Sequence, residues 1–217
     1  MNRQGPGKID WCDYSFNPIS GCLHGCPYCY MRRIDTRFPG TMAPAFHPER
    51  LKQPQRLKSP AKIFTGSSGD MWGEWVPERW INQVLDAVRA LPRHTFQFLT
   101  KNPSRYSGFN LPSNGWYGTT VDGTERTENN LAMLLASTIL HGERRFVSFE
   151  PLLAVPANID LAVIDWVIIG ADSTRGAARP PEAWADAIIE SARDAGAAVW
   201  IKDNYQYPGR VKEFPQN

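Results

Sequence analysis

The sequence predicts an α/β fold in one domain, a full or partial (β/α)6 TIM-like barrel of parallel strands. Along the 217 residues, short β-rich segments alternate with amphipathic helical segments. This alternation is typical of parallel strands joined by right-handed crossovers. Several of the short segments are continuously apolar, as strands buried on both faces are. An open, doubly wound sheet is the alternative architecture.

Seven segments are predicted as strands because they are short and rich in apolar, β-branched and aromatic residues. They are residues 9–14, 62–66, 95–100, 116–121, 145–150, 165–170 and 198–202. Pro and Gly crowd residues 39–60 and 102–115, which predicts loops with short helices there.

Four segments are predicted as helices, at residues 28–37, 77–91, 126–141 and 181–195. In the second, Pro77 stands where a first helical residue is favoured, and apolar residues recur at helical spacing through Leu91. The third has a leucine-rich side, and Gly196 follows the fourth as a stop signal.

The composition is that of a soluble globular protein, with 42% apolar and 21% charged residues. No run of eighteen apolar residues is present, so no membrane span is expected. The N-terminus lacks the apolar core of a secretory signal. We therefore expect a cytoplasmic, reducing compartment, which disfavours structural disulfides.

Positive charge is concentrated in the first part of the chain. Of the 24 Lys and Arg residues, ten lie in residues 1–62, against four of the 22 Asp and Glu residues. The same segment holds three closely spaced cysteines and several aromatic residues. This predicts a face for an anionic substrate. A basic face that only contacts solvent is the alternative.

The three cysteines, Cys22, Cys26 and Cys29, have the spacing C-x3-C-x2-C. A structural zinc site needs four ligands, usually in two separated pairs, and here the fourth would be His24 or Cys12. An iron–sulfur cluster normally has four thiolate ligands. Three thiolates from one loop leave one iron open, which is what a reactive metal site requires. The cluster is the favoured interpretation, and zinc remains an alternative.

The pattern Cys22-x3-Cys26-x-Tyr28-Cys29 resembles the signature of the radical S-adenosylmethionine (SAM) superfamily, C-x3-C-x-aromatic-C. It follows the first predicted strand, where that superfamily carries it. Other segments resemble a phage-associated, three-Cys-motif, radical-SAM-like family of unknown function, and together they span nearly the whole chain. They are IDWCDYSFNPISGC, FLTKNPSRY, WYGTTVDG, VSFEPLL, DWVIIGADSTRGAARP and VWIKDN…GRVKEFP.

The resemblance implies an enzyme with a 4Fe-4S cluster held by Cys22, Cys26 and Cys29. In that superfamily SAM binds the open iron, and its reductive cleavage gives methionine and a 5′-deoxyadenosyl radical that abstracts a hydrogen atom. An electron donor such as flavodoxin or ferredoxin is implied. Residues 1–217 would form a single domain, with a cluster loop at 21–31 and a C-terminal strand and tail at 197–217.

Three classes of function remain open. The first is a radical SAM enzyme, for which the basic N-terminal part favours a nucleic-acid or nucleotide substrate over a peptide or a substrate-bearing partner protein. The second is a non-catalytic metal-binding module. The third is a DNA-binding accessory protein that has lost turnover.

Barrel active sites collect at the C-terminal ends of strands, so the residues there are the candidates for the site. The resemblance implies cofactor contacts at Tyr28, Ser68, Asp70, Thr119, Thr120, Gly170 and Asp172. Catalytic or substrate-binding roles are expected for Lys101, Glu150 and Lys202. The superfamily usually has glutamate where Asp70 stands.

Other polar residues receive weaker interpretations. Arg175 and Arg179 would hold an anion or lie in solvent, and the isolated histidines are assigned no role. Those histidines are His47, His94 and His141. Cys12 is predicted to be a small buried residue on the first strand.

Overall fold

The computed structural model describes residues 1–140, 142–156 and 159–216, without the side chain of Thr138. His141, which received no assigned role, lies outside the described residues. The strands are β1 (Asn2–Arg3), β2 (Tyr14–Phe16), β3 (Ile19–Ser20), β4 (Ala45–Phe46), β5 (Lys62–Thr65), β6 (Thr95–Thr100), β7 (Gly115–Thr120), β8 (Arg144–Phe149), β9 (Trp166–Ile169) and β10 (Ala198–Ile201). The α-helices are α1 (Tyr30–Arg37), α2 (Glu78–Arg89), α3 (Asn130–Leu135) and α4 (Glu182–Asp194).

Eight strands form one sheet in the order β1-β2-β5-β6-β7-β8-β9-β10. Every pair from β2 to β10 is parallel, and only the edge strand β1 is antiparallel. The strands follow chain order, without the reversal that defines a doubly wound sheet. The predicted α/β fold is therefore confirmed in its partial-barrel form, because β1 and β10 do not pair with each other in the described ranges.

The predicted first strand, residues 9–14, is wrong, since the strand is Tyr14–Phe16 and the segment before it forms turns. Trp11 and Cys12 are buried, at 2% and 6% exposure. Cys12 is thus a small buried residue as predicted, but it does not lie on a strand. The apolar residues here mark burial inside the barrel rather than strand pairing.

The third predicted helix, residues 126–141, is also wrong in extent, because α3 covers only Asn130–Leu135. Asp122 Oδ1 accepts hydrogen bonds from the hydroxyls of Thr124 and Thr127, at 2.6 and 2.7 Å. These side-chain bonds hold the chain in a turn where the helix was predicted to begin. At the other end, the Arg145 guanidinium donates to the carbonyl oxygens of Leu135 and Ser137.

The sheet divides the core into two clusters, because successive strand residues point to opposite faces. Its outer face packs against the helices, and α2 contributes four residues with almost no exposure, Ile81, Val84, Leu85 and Val88. Its inner face carries an aromatic cluster inside the partial barrel. That cluster contains Trp11, Phe64, Trp116, Phe146, Trp166 and Trp200.

The C-terminal tail covers the free edge of β10. Ile201 N donates to Val211 O at 2.8 Å, and Glu213 N donates to Val199 O at 2.9 Å. Between these bonds, the Lys212 ammonium forms ion pairs with Asp10 and Asp203. The tail therefore joins the last strand to the N-terminal segment. Among the described residues, no helix combines the length and apolarity needed to span a membrane.

Candidate functional site

A cavity of about 570 Å³ opens at the C-terminal ends of the parallel strands. The sheet places these ends at one edge, so residues far apart in sequence meet there. The lining includes the three cysteines of the loop and most of the predicted strand-end residues. Among the lining residues are Cys22, His24, Cys26, Tyr28, Cys29, Asp70, Lys101, Thr120, Ser148, Glu150, Asp172 and Lys202.

Glycine allows the cysteine loop to pack closely against two other segments. Gly21 has a φ of +84°, and a Cβ there would lie 2.2 Å from the carbonyl oxygen of Ala43. Gly69 faces Gly21 in an isolated parallel bridge, and its Cβ would lie 2.4 Å from the Gly21 oxygen. Both positions therefore require glycine, because only a residue without a Cβ lets the neighbouring backbones approach so closely.

His24 is held by a carboxylate from another segment. Its Nε2 lies 2.8 Å from Asp70 Oδ2, which also accepts from the Thr100 hydroxyl at 2.8 Å and the Lys101 amide at 3.0 Å. Burial alone would raise the pKa of Asp70, but these hydrogen bonds outweigh it and hold that pKa below its usual range. Asp70 therefore anchors the loop, and its Oδ2 is already fully engaged by protein donors.

Tyr28, the aromatic residue of the cysteine motif, is also anchored by a carboxylate from another segment. Its hydroxyl donates to Asp122 Oδ2 at 2.5 Å, and Lys101 Nζ lies 5.6 Å from the centroid of its ring. Burial is the main cause that raises the pKa of Tyr28, and the hydrogen bond to Asp122 raises it further. Tyr28 is thus a neutral donor at any physiological pH, and it fixes the loop against the end of β7.

The three thiols of the cysteine loop lie in one cavity. In the described part of the chain, no three His, Cys, Asp or Glu side chains converge as ligands of one metal ion. Burial raises the pKa of Cys22 to about 11, so this residue is a thiol at neutral pH and metal binding would release its proton.

Glu150 and Lys202 form an ion pair at the mouth of the cavity, with side-chain exposures of 24% and 14%. They follow the ends of β8 and β10, which flank the end of β9. A Cβ at Gly170 would lie 3.0 Å from Glu150 Cγ and 3.1 Å from Lys202 Cδ. The glycine therefore leaves room for the ion pair, and all three predicted residues meet at one point.

Three of the predicted cofactor residues, Ser68, Thr119 and Gly170, are not among the residues that line the cavity. The Thr119 hydroxyl donates to Thr100 O at 2.8 Å, on the outer face of the sheet. Ser68 supports the cysteine loop through its carbonyl oxygen, which accepts from Gly21 N at 3.0 Å. Thr120 and Asp172 do line the cavity, together with Lys101. Arg179 bonds to Glu182 at 3.1 Å, on the exposed surface.

Sequence reasoning missed Trp11 and Ser148 as residues of this site, and it named Asp122 only as part of the strand end that carries Thr119 and Thr120. Ser148 lies two residues before Glu150 and therefore shares its face of the strand, so alternation from Glu150 was a usable signal. His24 was considered only as a metal ligand. The bond between His24 and Asp70 joins residues 46 positions apart, and the bond between Tyr28 and Asp122 joins residues 94 positions apart. No local sequence pattern predicts contacts over such separations.

A partial α/β barrel with a three-cysteine loop at the C-terminal ends of its strands defines the class of this protein. The chain belongs to the family described as "Protein of unknown function (DUF5131)", which matches residues 6–213. No curated protein matches the chain.

Two solved structures, both of spore photoproduct lyase, share this fold. One is a doubly substituted lyase with bound AdoMet and dinucleoside spore photoproduct, at 10% identity and a TM-score of 0.51. The other is the lyase complexed with dinucleoside spore photoproduct, at 9% identity and a TM-score of 0.50. The matches cover 84% and 89% of this chain, which spans only 61% and 63% of the lyase chains.

Proposed function

We propose that this protein is a radical SAM enzyme in which Cys22, Cys26 and Cys29 hold a 4Fe-4S cluster. The observation that carries the proposal is the position of the three thiols, which come from one loop and line a cavity at the C-terminal ends of parallel strands. When bound, the cluster and SAM would supply reductive cleavage of a carbon–sulfur bond and the 5′-deoxyadenosyl radical. An external donor such as flavodoxin or ferredoxin would supply the electron.

The residues of the chain would bind and orient SAM and the substrate, and they would exclude water from the cavity. Lys101 and the Glu150–Lys202 pair offer charges at the cavity mouth for the carboxylate and ammonium of SAM or for a substrate anion. Thr120 and Asp172 offer hydroxyl and carboxylate groups for a ribose. Asp70 and Tyr28 act through the cysteine loop, whose position they fix.

For the substrate we propose nucleic acid or a nucleotide. The two lyase structures that share the fold are complexes with a dinucleoside ligand, and the N-terminal part of this chain is basic. Peptide modification would use the same cavity and remains the second candidate for the substrate.

The test is anaerobic reconstitution with iron and sulfide, followed by reduction with dithionite in the presence of SAM. We expect iron–sulfur absorption and release of 5′-deoxyadenosine, measured by chromatography. Cys26→Ala should abolish both signals. The matched control is Cys12→Ala, because Cys12 is equally buried but does not line the cavity, and it should retain both.

The proposal would be contradicted if the protein bound stoichiometric zinc, and neither iron nor SAM, under the same conditions. That result would support a non-catalytic metal-binding module. Cleavage of SAM by the Cys26→Ala protein would instead show that the ligand assignment is wrong. Dithionite replaces the natural reductant, so either outcome is independent of the proposed electron donor.

A further inference from the structure

The cavity has an uncharged floor beneath its charged mouth. We define the floor as Trp11, Phe64, Leu99, Thr120 and Ser148, all of which line the cavity. The charged lining residues come instead from loops and strand ends, and they are Lys8, Asp70, Lys101, Glu150, Asp172 and Lys202. A ligand that reaches the floor therefore meets aromatic, aliphatic and neutral polar groups only.

Two polar groups of the floor have no hydrogen-bond partner in the described part of the chain. They are the indole N–H of Trp11 and the hydroxyl of Ser148, in residues that are 2% and 0% exposed. Leaving such a buried group unpaired costs about 1–3 kcal/mol, and native proteins retain few of them. Since both residues line the cavity, a bound ligand is the natural partner.

The chemistry of the floor selects the kind of ligand. Trp11 N–H can only donate, whereas the Ser148 hydroxyl can donate or accept. The rings of Trp11 and Phe64 have centroids 4.6 Å apart and supply apolar surface that suits a flat group. The ligand should thus be planar, neutral and rich in acceptor atoms along its edge, as nucleobases are.

Other ligands fit less well. An aliphatic peptide side chain would leave the Trp11 and Ser148 groups unpaired, and a charged one would find no counter-charge on the floor. A sugar ring presents hydroxyls on all sides, where Phe64 and Leu99 offer no partner.

We propose that the floor binds the nucleobase of a nucleotide substrate. Trp11 would donate to a carbonyl oxygen or ring nitrogen, and Ser148 would pair with a second polar atom of the base. Ser148 lies on β8, and Glu150 follows the end of that strand two residues later, a spacing of about 6.6 Å at the rise of an extended chain. A base on the floor therefore leaves the charged mouth to the cofactor. The assignment of the mouth to SAM rests on the proposed function.

The test is isothermal titration calorimetry of the full chain with thymidine, uridine, cytidine, adenosine, ribose 5-phosphate and SAM as separate probes. At least one nucleoside should bind, and ribose 5-phosphate should not compete with it. Trp11→Phe keeps the ring and removes the N–H, and Ser148→Ala removes the hydroxyl. Each should weaken nucleoside binding by about threefold to tenfold, the effect of one neutral hydrogen bond.

Two matched controls should leave nucleoside affinity unchanged. Ser137→Ala removes another buried hydroxyl that has no partner among the described residues, and Trp184→Phe removes an indole from α4. Neither residue lines the cavity. Circular dichroism checks folding, and the conservative Ser148→Ala variant keeps the test informative if Trp11→Phe disturbs the aromatic cluster.

Absence of nucleoside binding at millimolar concentration, or equal affinity in both variants and the parent, would overturn the proposal. The proposal would also be overturned if the two variants weakened only the binding of SAM, because the floor would then belong to the cofactor site. The two proposals can fail separately. If the protein forms no cluster and does not cleave SAM, but both variants still lose nucleoside binding, the proposed function is overturned and the nucleobase site stands.

Discussion

At the residue scale, carboxylates from distant segments determine where the cysteine loop lies. Asp70 holds His24, and Asp122 holds Tyr28 while its second oxygen binds Thr124 and Thr127. Burial would raise the pKa of Asp122, but these hydrogen bonds outweigh it and lower that pKa. The aromatic residue of the cysteine motif therefore has a structural partner within the chain.

Replacing Tyr28 with Phe should lower the free energy of unfolding by about 1.5–3 kcal/mol, the range for a hydrogen bond to a charged group. The ring would remain, but Asp122 Oδ2 would lose its donor. Urea denaturation followed by circular dichroism measures the change.

Tyr207→Phe is the matched control, since its hydroxyl donates to Asp186 at 2.7 Å on the exposed surface. It should cost less than about 1 kcal/mol, because solvent replaces an exposed partner. Equal losses for the two variants would argue against a special role for the Tyr28 bond.

The sequence was informative about which residues reach the cavity wherever strand ends were correctly placed. Lys101, Glu150 and Lys202 follow apolar strands and do line the cavity. The resemblance predicts cofactor contacts for both Thr119 and Thr120, but neighbouring strand positions point to opposite faces, and only Thr120 lines the cavity. The anchoring bonds of His24 and Tyr28 could not be predicted, because they depend on the final sheet geometry.

At the scale of elements, the tail is fastened to β10 and α4 mainly through Glu213. Its carboxylate accepts from the Arg193 guanidinium at 2.6 and 2.7 Å and from Val199 N at 3.1 Å. The Arg193 hydrogen bond lowers the pKa of Glu213 below its usual value. Its backbone oxygen also accepts from Trp166 Nε1 at 2.8 Å.

Glu213→Gln should lower the free energy of unfolding at pH 7 by less than about 1 kcal/mol, since both partners are more than 40% exposed. A lowered folded-state pKa stabilises the protein above the unfolded pKa of about 4.3, and this contribution disappears as pH falls through the folded-state value. Urea titrations from pH 7 to pH 3 should therefore show the parent and the variant converging.

High salt should reduce the difference at pH 7, because these charges are solvent-accessible. Glu128→Gln, at an exposed position before α3, should show no such pH-dependent difference. A Glu213→Gln effect that is the same at pH 3 and pH 7 would contradict the role of the charge.

Element boundaries show where sequence patterns fail. Helices α2 and α4 lie within two residues of their predicted bounds, because their apolar spacing matches one buried face. The predicted 126–141 helix has a similar apolar pattern, but the side-chain bonds around Asp122 prevail over helical propensity. The tail strand interaction was not predicted, since residues 211–213 have no apolar alternation.

At the scale of the whole molecule, Lys212 links the two ends of the chain. Its ammonium pairs with Asp10, with side-chain exposures of 12% and 7%, and lies 2.6 Å from Asp203. It also lies 5.1 Å from the centroid of the Trp200 ring. This contact fixes the N-terminal segment that carries Trp11 against the inner face of the sheet.

Lys212→Met should lower the free energy of unfolding by about 3 kcal/mol, because the change leaves the Asp10 carboxylate buried without a counter-ion. Adding Asp10→Asn should restore most of this loss. A double-mutant cycle by urea denaturation measures the coupling, and additive losses in the double variant would contradict a direct interaction.

The ion pair between Lys212 and Asp10 spans 202 positions of the sequence. During synthesis, a nascent chain cannot make this contact until residue 212 has left the ribosome. The N-terminal segment, which emerges early, therefore gains this ion pair only after the late segment has emerged. We expect the N-terminal segment around Trp11 to be held less firmly against the sheet until then, because this ion pair can form only late in synthesis.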